Sequence, residues 1–123
     1  MESQEELEKG IGNIEPEILK PAKVKIVKVE LKEIKKMKKL VCSVKHPNRE
    51  ETIDISRVKY IGKGDKVSTV GLWYMEDSEG NIQKGTALAE FLIFNVAKNI
   101  KQLEGKEIET IAEDSGYLCF KSY

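Results

Sequence analysis

The stretch AKVKIVKVELKEI, residues 22–34, alternates apolar and polar residues but changes phase partway along. Val24 and Ile26 fall on one parity; Val27, Val29 and Leu31 fall on the other. Strand side chains alternate with a period of two, so an unbroken strand cannot bring both sets to one face. One extra residue, a β-bulge, flips every side chain that follows it and bends the strand. The expectation is a long bulged strand able to serve two sheets of a barrel.

Shorter strands follow. KKMKK reads as a loop or hairpin tip, and residues 39–46 then alternate Leu40, Cys42 and Val44. HPNREE carries turn chemistry at Pro47 and Asn48, and residues 52–61 alternate again through Ile53, Ile55, Val58 and Tyr60. These two segments are expected to pair as a hairpin. After a GKGDK loop, VSTVGLWYM is rich in β-branched and aromatic residues and should be extended. The turn DSEGN and a short return IQKG lead to one helical pattern, residues 86–103. There Leu88, Leu92, Val96, Ile100 and Leu103 recur at helical spacing, with Thr86 as N-cap and Gly105 just past the end. KEIETIAED and GYLCFKSY complete a final hairpin around Asp114-Ser115-Gly116.

The chain of 123 residues fits one domain at residues 22–123, preceded by an acidic lead at residues 1–21. Within that lead Ser3 and Glu6 suggest a capping box for a short helix through Lys9. No run reaches the 18 apolar residues of a membrane span. The acidic start MESQEELEKG lacks the apolar centre of a secretory signal, so the expected location is cytoplasmic. Nineteen of the 21 cations are Lys and 17 of the 21 anions are Glu. That bias is the signature of a thermophile, and equally of an AT-rich genome. Formal charge sums to zero but is segregated: residues 1–19 carry −5 and residues 20–45 carry +8. The lead is therefore expected to fold back on the basic block and compete with an anionic ligand.

Catalytic patterns are missing. His46 is the lone histidine, and Cys42 and Cys119 lack the paired spacing of a zinc site. GKGDK is not a phosphate-binding loop, and DSEGN fails the calcium-loop pattern after Asp77. The reading is therefore a non-enzyme with no cofactor or metal, and with both cysteines as small buried thiols.

The order long bulged strand, strand, strand, extended insertion, helix, strand, strand resembles the OB-fold superfamily. The resemblance covers residues 22–123 and implies a mainly β fold with one helix: a five-stranded Greek-key barrel with the helix between strands three and four. The alternative is a small α+β domain, an antiparallel sheet packed on one helix. OB domains bind ligands on strands two and three and the adjoining loops, and single-strand binders combine cations with aromatic stacking platforms. So mapped, the resemblance implies binding of single-stranded DNA or RNA by Lys35, Lys36, Lys38, Lys39, Lys45, Arg57 and Lys59, with Tyr60, Trp73, Tyr74 and Tyr117 as platforms. A protein-interaction or adaptor domain is the other reading, with an exposed patch near Leu72, Trp73 and Met75 or an open VSTVGLWYM edge that pairs with a second chain. On that view the Lys run is a turn kept soluble by charge.

Overall fold

A computed structural model describes residues 19–123. The short helix expected from Ser3 and the fold-back of the acidic lead fall outside the described residues. The described residues form nine strands: β1 (Val24–Ile34), β2 (Met37–Lys45), β3 (Ile53–Ile55), β4 (Arg57–Ile61), β5 (Val67–Gly71), β6 (Trp73–Tyr74), β7 (Glu107–Ile108), β8 (Thr110–Ala112) and β9 (Leu118–Ser122). Among the described residues one α-helix, α1 (Ala87–Phe94), lies between β6 and β7 in the chain. The described chain is mainly β, and its sheet is curled.

Two hydrogen-bonded sets make up that surface. One runs β3-β2-β1-β7, with β6 also on β2; the other runs β5-β4-β9-β8. Ser56 alone separates β3 from β4, and Glu109 alone separates β7 from β8, so the sets are joined twice along the chain. Pairing is antiparallel throughout except between β4 and β9.

The parity switch in β1 is a register shift between Ile26 and Lys28. Before it, Val24 and Ile26 are fully buried. After it, only Val29 packs against the core, while Val27 and Leu31 are exposed. The bulge therefore does more than exchange faces: beyond it the strand leaves the core and continues as a projecting hairpin with β2.

The tip of that hairpin is tighter than KKMKK suggests. Met37, Lys38 and Lys39 already belong to β2, which leaves Lys35 and Lys36 as a two-residue turn. Both have positive φ, 48° and 69°. This is the geometry of the primed turns that match strand twist, and Asn-Gly is its favoured sequence.

The helix is shorter than the expected 86–103. It starts as expected, with the Thr86 hydroxyl oxygen accepting from the Ala89 N–H at 3.2 Å. It stops at Phe94. The Ala97 N–H bonds back to the Leu92 carbonyl and the Val96 N–H to that of Ile93, a Schellman ending with Val96 at φ 55°. The Asn95 amide also donates to the Phe91 carbonyl. A straight helix could not keep burying its stripe, because Val96 is 83% exposed while Ala97 and Leu103 are buried. The chain turns to bury them and finishes as a 3-10 turn at Ile100–Leu103, capped by Asn99.

The core lies between the sheet's inner face and α1. Leu40, Cys42, Val44, Val58, Leu88 and Leu103 are fully buried there, and the Phe91 and Phe120 rings stack with centroids 4.8 Å apart. Burial lifts the Cys42 thiol to about 12, aided by the Asp54 charge, and lifts that of Cys119 to about 11. Both are free, buried thiols. His46 is also fully buried. Its Nδ1 accepts from the Asn48 N–H, so Nε2 carries the proton and donates to the Lys20 carbonyl at 2.8 Å. The ring thus ties the entry of the described chain to the turn after β2.

Candidate nucleic-acid interface

Cross-strand partners share a face, so the registers decide which candidates meet. On β2, Leu40, Cys42 and Val44 point inward, and Lys39 therefore points outward. Lys39 pairs with Lys32 of β1 and with Trp73 of β6. Its ammonium lies 5.2 Å from the centre of the Trp73 ring, a cation–π contact. On β4, Val58 points inward, so Arg57 and Lys59 point outward.

Gly71 ties these groups together. It pairs with Arg57 across β4 and β5. A side chain there would sit 2.8 Å from the Trp73 indole nitrogen and 2.9 Å from Lys39 Cε. The absent Cβ lets the indole and the lysine stem lie flat against the backbone beside Arg57. Burial lowers the Lys39 ammonium below its usual range, the Arg57 charge lowers it further, and Glu113 opposes both. Gly71, opposite Arg57 in the ladder and in reach of the Lys39 stem, puts the two cations on neighbouring positions.

Glu113 sits on the turn between β8 and β9, and its carboxylate accepts from Arg57 Nε at 2.7 Å. Its N–H bonds to the carbonyl of Tyr117, which is 68% exposed at the same turn. Further along, Lys59 pairs with Lys121 of β9. The Lys121 ammonium stands 5.0 Å from the centre of the Tyr123 ring and 4.0 Å from Glu109. The outward side of the strands thus carries Lys39 against the indole with Lys32 and Arg57 on neighbouring strands, and Lys59 and Lys121 further along, with Glu113 and Glu109 as paired carboxylates.

Other candidates lie elsewhere. Tyr60 shares parity with Val58 and packs against the core. Tyr74 also packs against the core, and its hydroxyl donates to Glu76 at 2.6 Å. That hydrogen bond raises its phenol above the usual range. Lys38 pairs with Tyr74 and Glu33, on the opposite face from Lys39. Lys45 is opposite Lys25 at the far end of β2. Lys35 and Lys36 project from the exposed tip.

Four participants were missed in the sequence: Lys32, Glu113, Lys121 and Tyr123. Lys32 follows only once the two-residue turn is known, since counting back from it sets Lys32 opposite Lys39. The others depend on the parallel β4–β9 pairing, which no local pattern announces.

Among the described residues no group of three or more His, Cys, Asp or Glu side chains is placed to hold a metal, and no helix is long and apolar enough to cross a membrane. No protein-family model, curated protein or solved structure matches this chain.

Proposed function

We propose that the protein is a single-stranded nucleic-acid-binding domain of OB type, and that its ligand lies across the outward face of β2, β6 and β4. The observation that carries the reading is the Lys39 ammonium over the Trp73 ring against Gly71, with Arg57 opposite that glycine on the neighbouring strand. A half-buried indole fixed from behind and flanked by cations suits base stacking with backbone neutralisation. The OB reading draws support from the pairings. With β3–β4 and β7–β8 each taken as one bent strand, the order is β1, β2, β3–β4, β9, β7–β8 and back to β1, with α1 before β7–β8. On that grouping the order matches the one a five-stranded Greek-key barrel would have, which supports the reading, with β5 and β6 as an insertion between β2 and β4.

Trp73 is the only tryptophan, so its fluorescence reads the site directly. A mixed-sequence single-stranded oligonucleotide, as DNA and as RNA, should quench it at low salt. The log–log salt dependence should fall with a slope on the order of −3, at roughly −0.7 per phosphate neutralised. Quenching absent with both at low salt sinks the proposal.

One observation favours a protein partner instead: Ile93, Phe94 and Val96 are all exposed at the end of α1. That reading predicts binding that survives loss of Trp73 and requires Phe94.

A further inference from the structure

β1 is paired on both sides only at its start. Val24 and Lys25 bond to β7, and the Ile26 N–H and carbonyl reach Lys106 and Gly105. From Lys28 to Ile34 its only strand partner among the described residues is β2. The hairpin geometry says which groups are left over. A two-residue turn is closed by Ile34 and Met37 exchanging hydrogen bonds, and alternation then assigns Lys32, Glu30 and Lys28 to the same β2-facing set. Val29, Leu31 and Glu33 must aim their backbone groups away from β2. The Val29 N–H does so, donating to the Glu104 carboxylate at 3.3 Å. The next outward groups, those of Leu31 and Glu33, meet no strand.

We infer that this edge pairs with the same edge of a second copy, forming a two-fold dimer through antiparallel β1–β1 contact centred on Leu31. The register follows from charge. Outward groups sit on odd residues, so an isologous pair must be centred on Glu30, Leu31 or Lys32. Centring on Glu30 sets Glu30 against Glu30 and Lys28 against Lys32. Centring on Lys32 sets Lys32 against Lys32. Only the Leu31 centre sets Glu30 of each chain opposite Lys32 of the other, twice by symmetry. It places those pairs at the non-hydrogen-bonded positions, where side chains stand closest. Leu31 exchanges bonds with Leu31 of the second copy, and the Glu33 N–H reaches the Val29 carbonyl, so Glu104 keeps its hold on the Val29 N–H. The Leu31 side chain is 37% exposed at the lip of an apolar groove of about 530 Å³ shared with Ile93 and Ile100. Leu31 against Leu31 covers that lip on both copies.

Sedimentation equilibrium of the full chain, without nucleic acid, tests the dimer apart from the proposed binding activity. Wild type should show a monomer–dimer equilibrium. E30K and K32E should each raise the dissociation constant by about tenfold, since two attractive cross-strand pairs become repulsive. The doubly exchanged E30K/K32E should return it to within about twofold. L31P removes an N–H that β2 does not use, so it should leave a folded monomer by circular dichroism. A wild type that stays monomeric at ~1 mM, or single exchanges that dimerise like wild type, overturns the inference.

Discussion

Trp73 and Tyr74 are neighbours in a two-residue strand, and each faces a lysine of β2. Their surroundings differ completely. Trp73 points outward, under the Lys39 ammonium and beside Arg57. Tyr74 points inward, packs on the core and gives its hydroxyl to Glu76. A single step along a strand reverses the face, so side chains of similar chemistry serve different ends. One lies in a cationic field open to a ligand. The other seals the rim of the core.

The sharpest way to break this comparison is to truncate each ring. W73A should weaken single-strand binding by about 10- to 100-fold, equivalent to about 1–3 kcal/mol for one stacked base. It should leave stability nearly unchanged. Y74A should do the reverse, lowering the denaturant midpoint while the folded fraction binds as tightly as wild type. Anisotropy titrations at fixed salt and urea melts of both variants decide it. Equal binding losses would mean that the two faces are not functionally distinct.

A second test concerns the hairpin tip. Lys35 and Lys36 hold left-handed conformations that cost a non-glycine residue about 1–2 kcal/mol each. Turn chemistry alone would place Asn-Gly there. K35N/K36G should therefore stabilise the protein by about 1–2 kcal/mol, seen as a higher urea midpoint at unchanged slope. If the tip grips phosphates, the same variant should flatten the salt dependence of binding by about 1.4, at roughly 0.7 per contact. Stabilisation with an unchanged salt slope would confine the ligand to the Trp73 face and leave the tip as a charged, soluble turn.

These contrasts show what was legible in advance. The bulge in β1 was readable because parity is a local property of Val24, Ile26, Val27 and Val29. So was the start of α1, since Thr86 and the residues after it carry their own capping and periodicity. The end of α1 was not. Leu88 to Leu103 keep helical spacing, yet packing of Ala97 and Leu103 outweighs it and drives Val96 into a left-handed conformation. The tip was hidden because lysines carry no turn signature. At the candidate site, residue types were visible but their grouping was not. Lys38 and Lys39 differ only in parity, Tyr60 belongs with Val58, and Arg57 meets Glu113 only after β4 and β9 have aligned. Burial decides those questions, and burial is a property of the whole sheet.

The smallest expected effect lies in the Tyr74 hydroxyl. Its hydrogen bond to Glu76, with lesser contributions from burial and the carboxylate charge, raises the phenol above its ordinary value. A raised folded-state value favours the protonated form, so this contribution to stability is fully present below the unfolded phenol's pKa. It is lost as pH climbs through the folded one. In an ultraviolet titration, one tyrosine should therefore ionise later than an ordinary phenol. E76Q should bring it back down by removing the charge and weakening the bond, while the Trp73 emission stays constant across the transition. Emission that followed the phenol's titration would couple the two rings despite their opposite faces. The separation between ligand face and core rim would then fail at its narrowest point, the single peptide bond between residues 73 and 74.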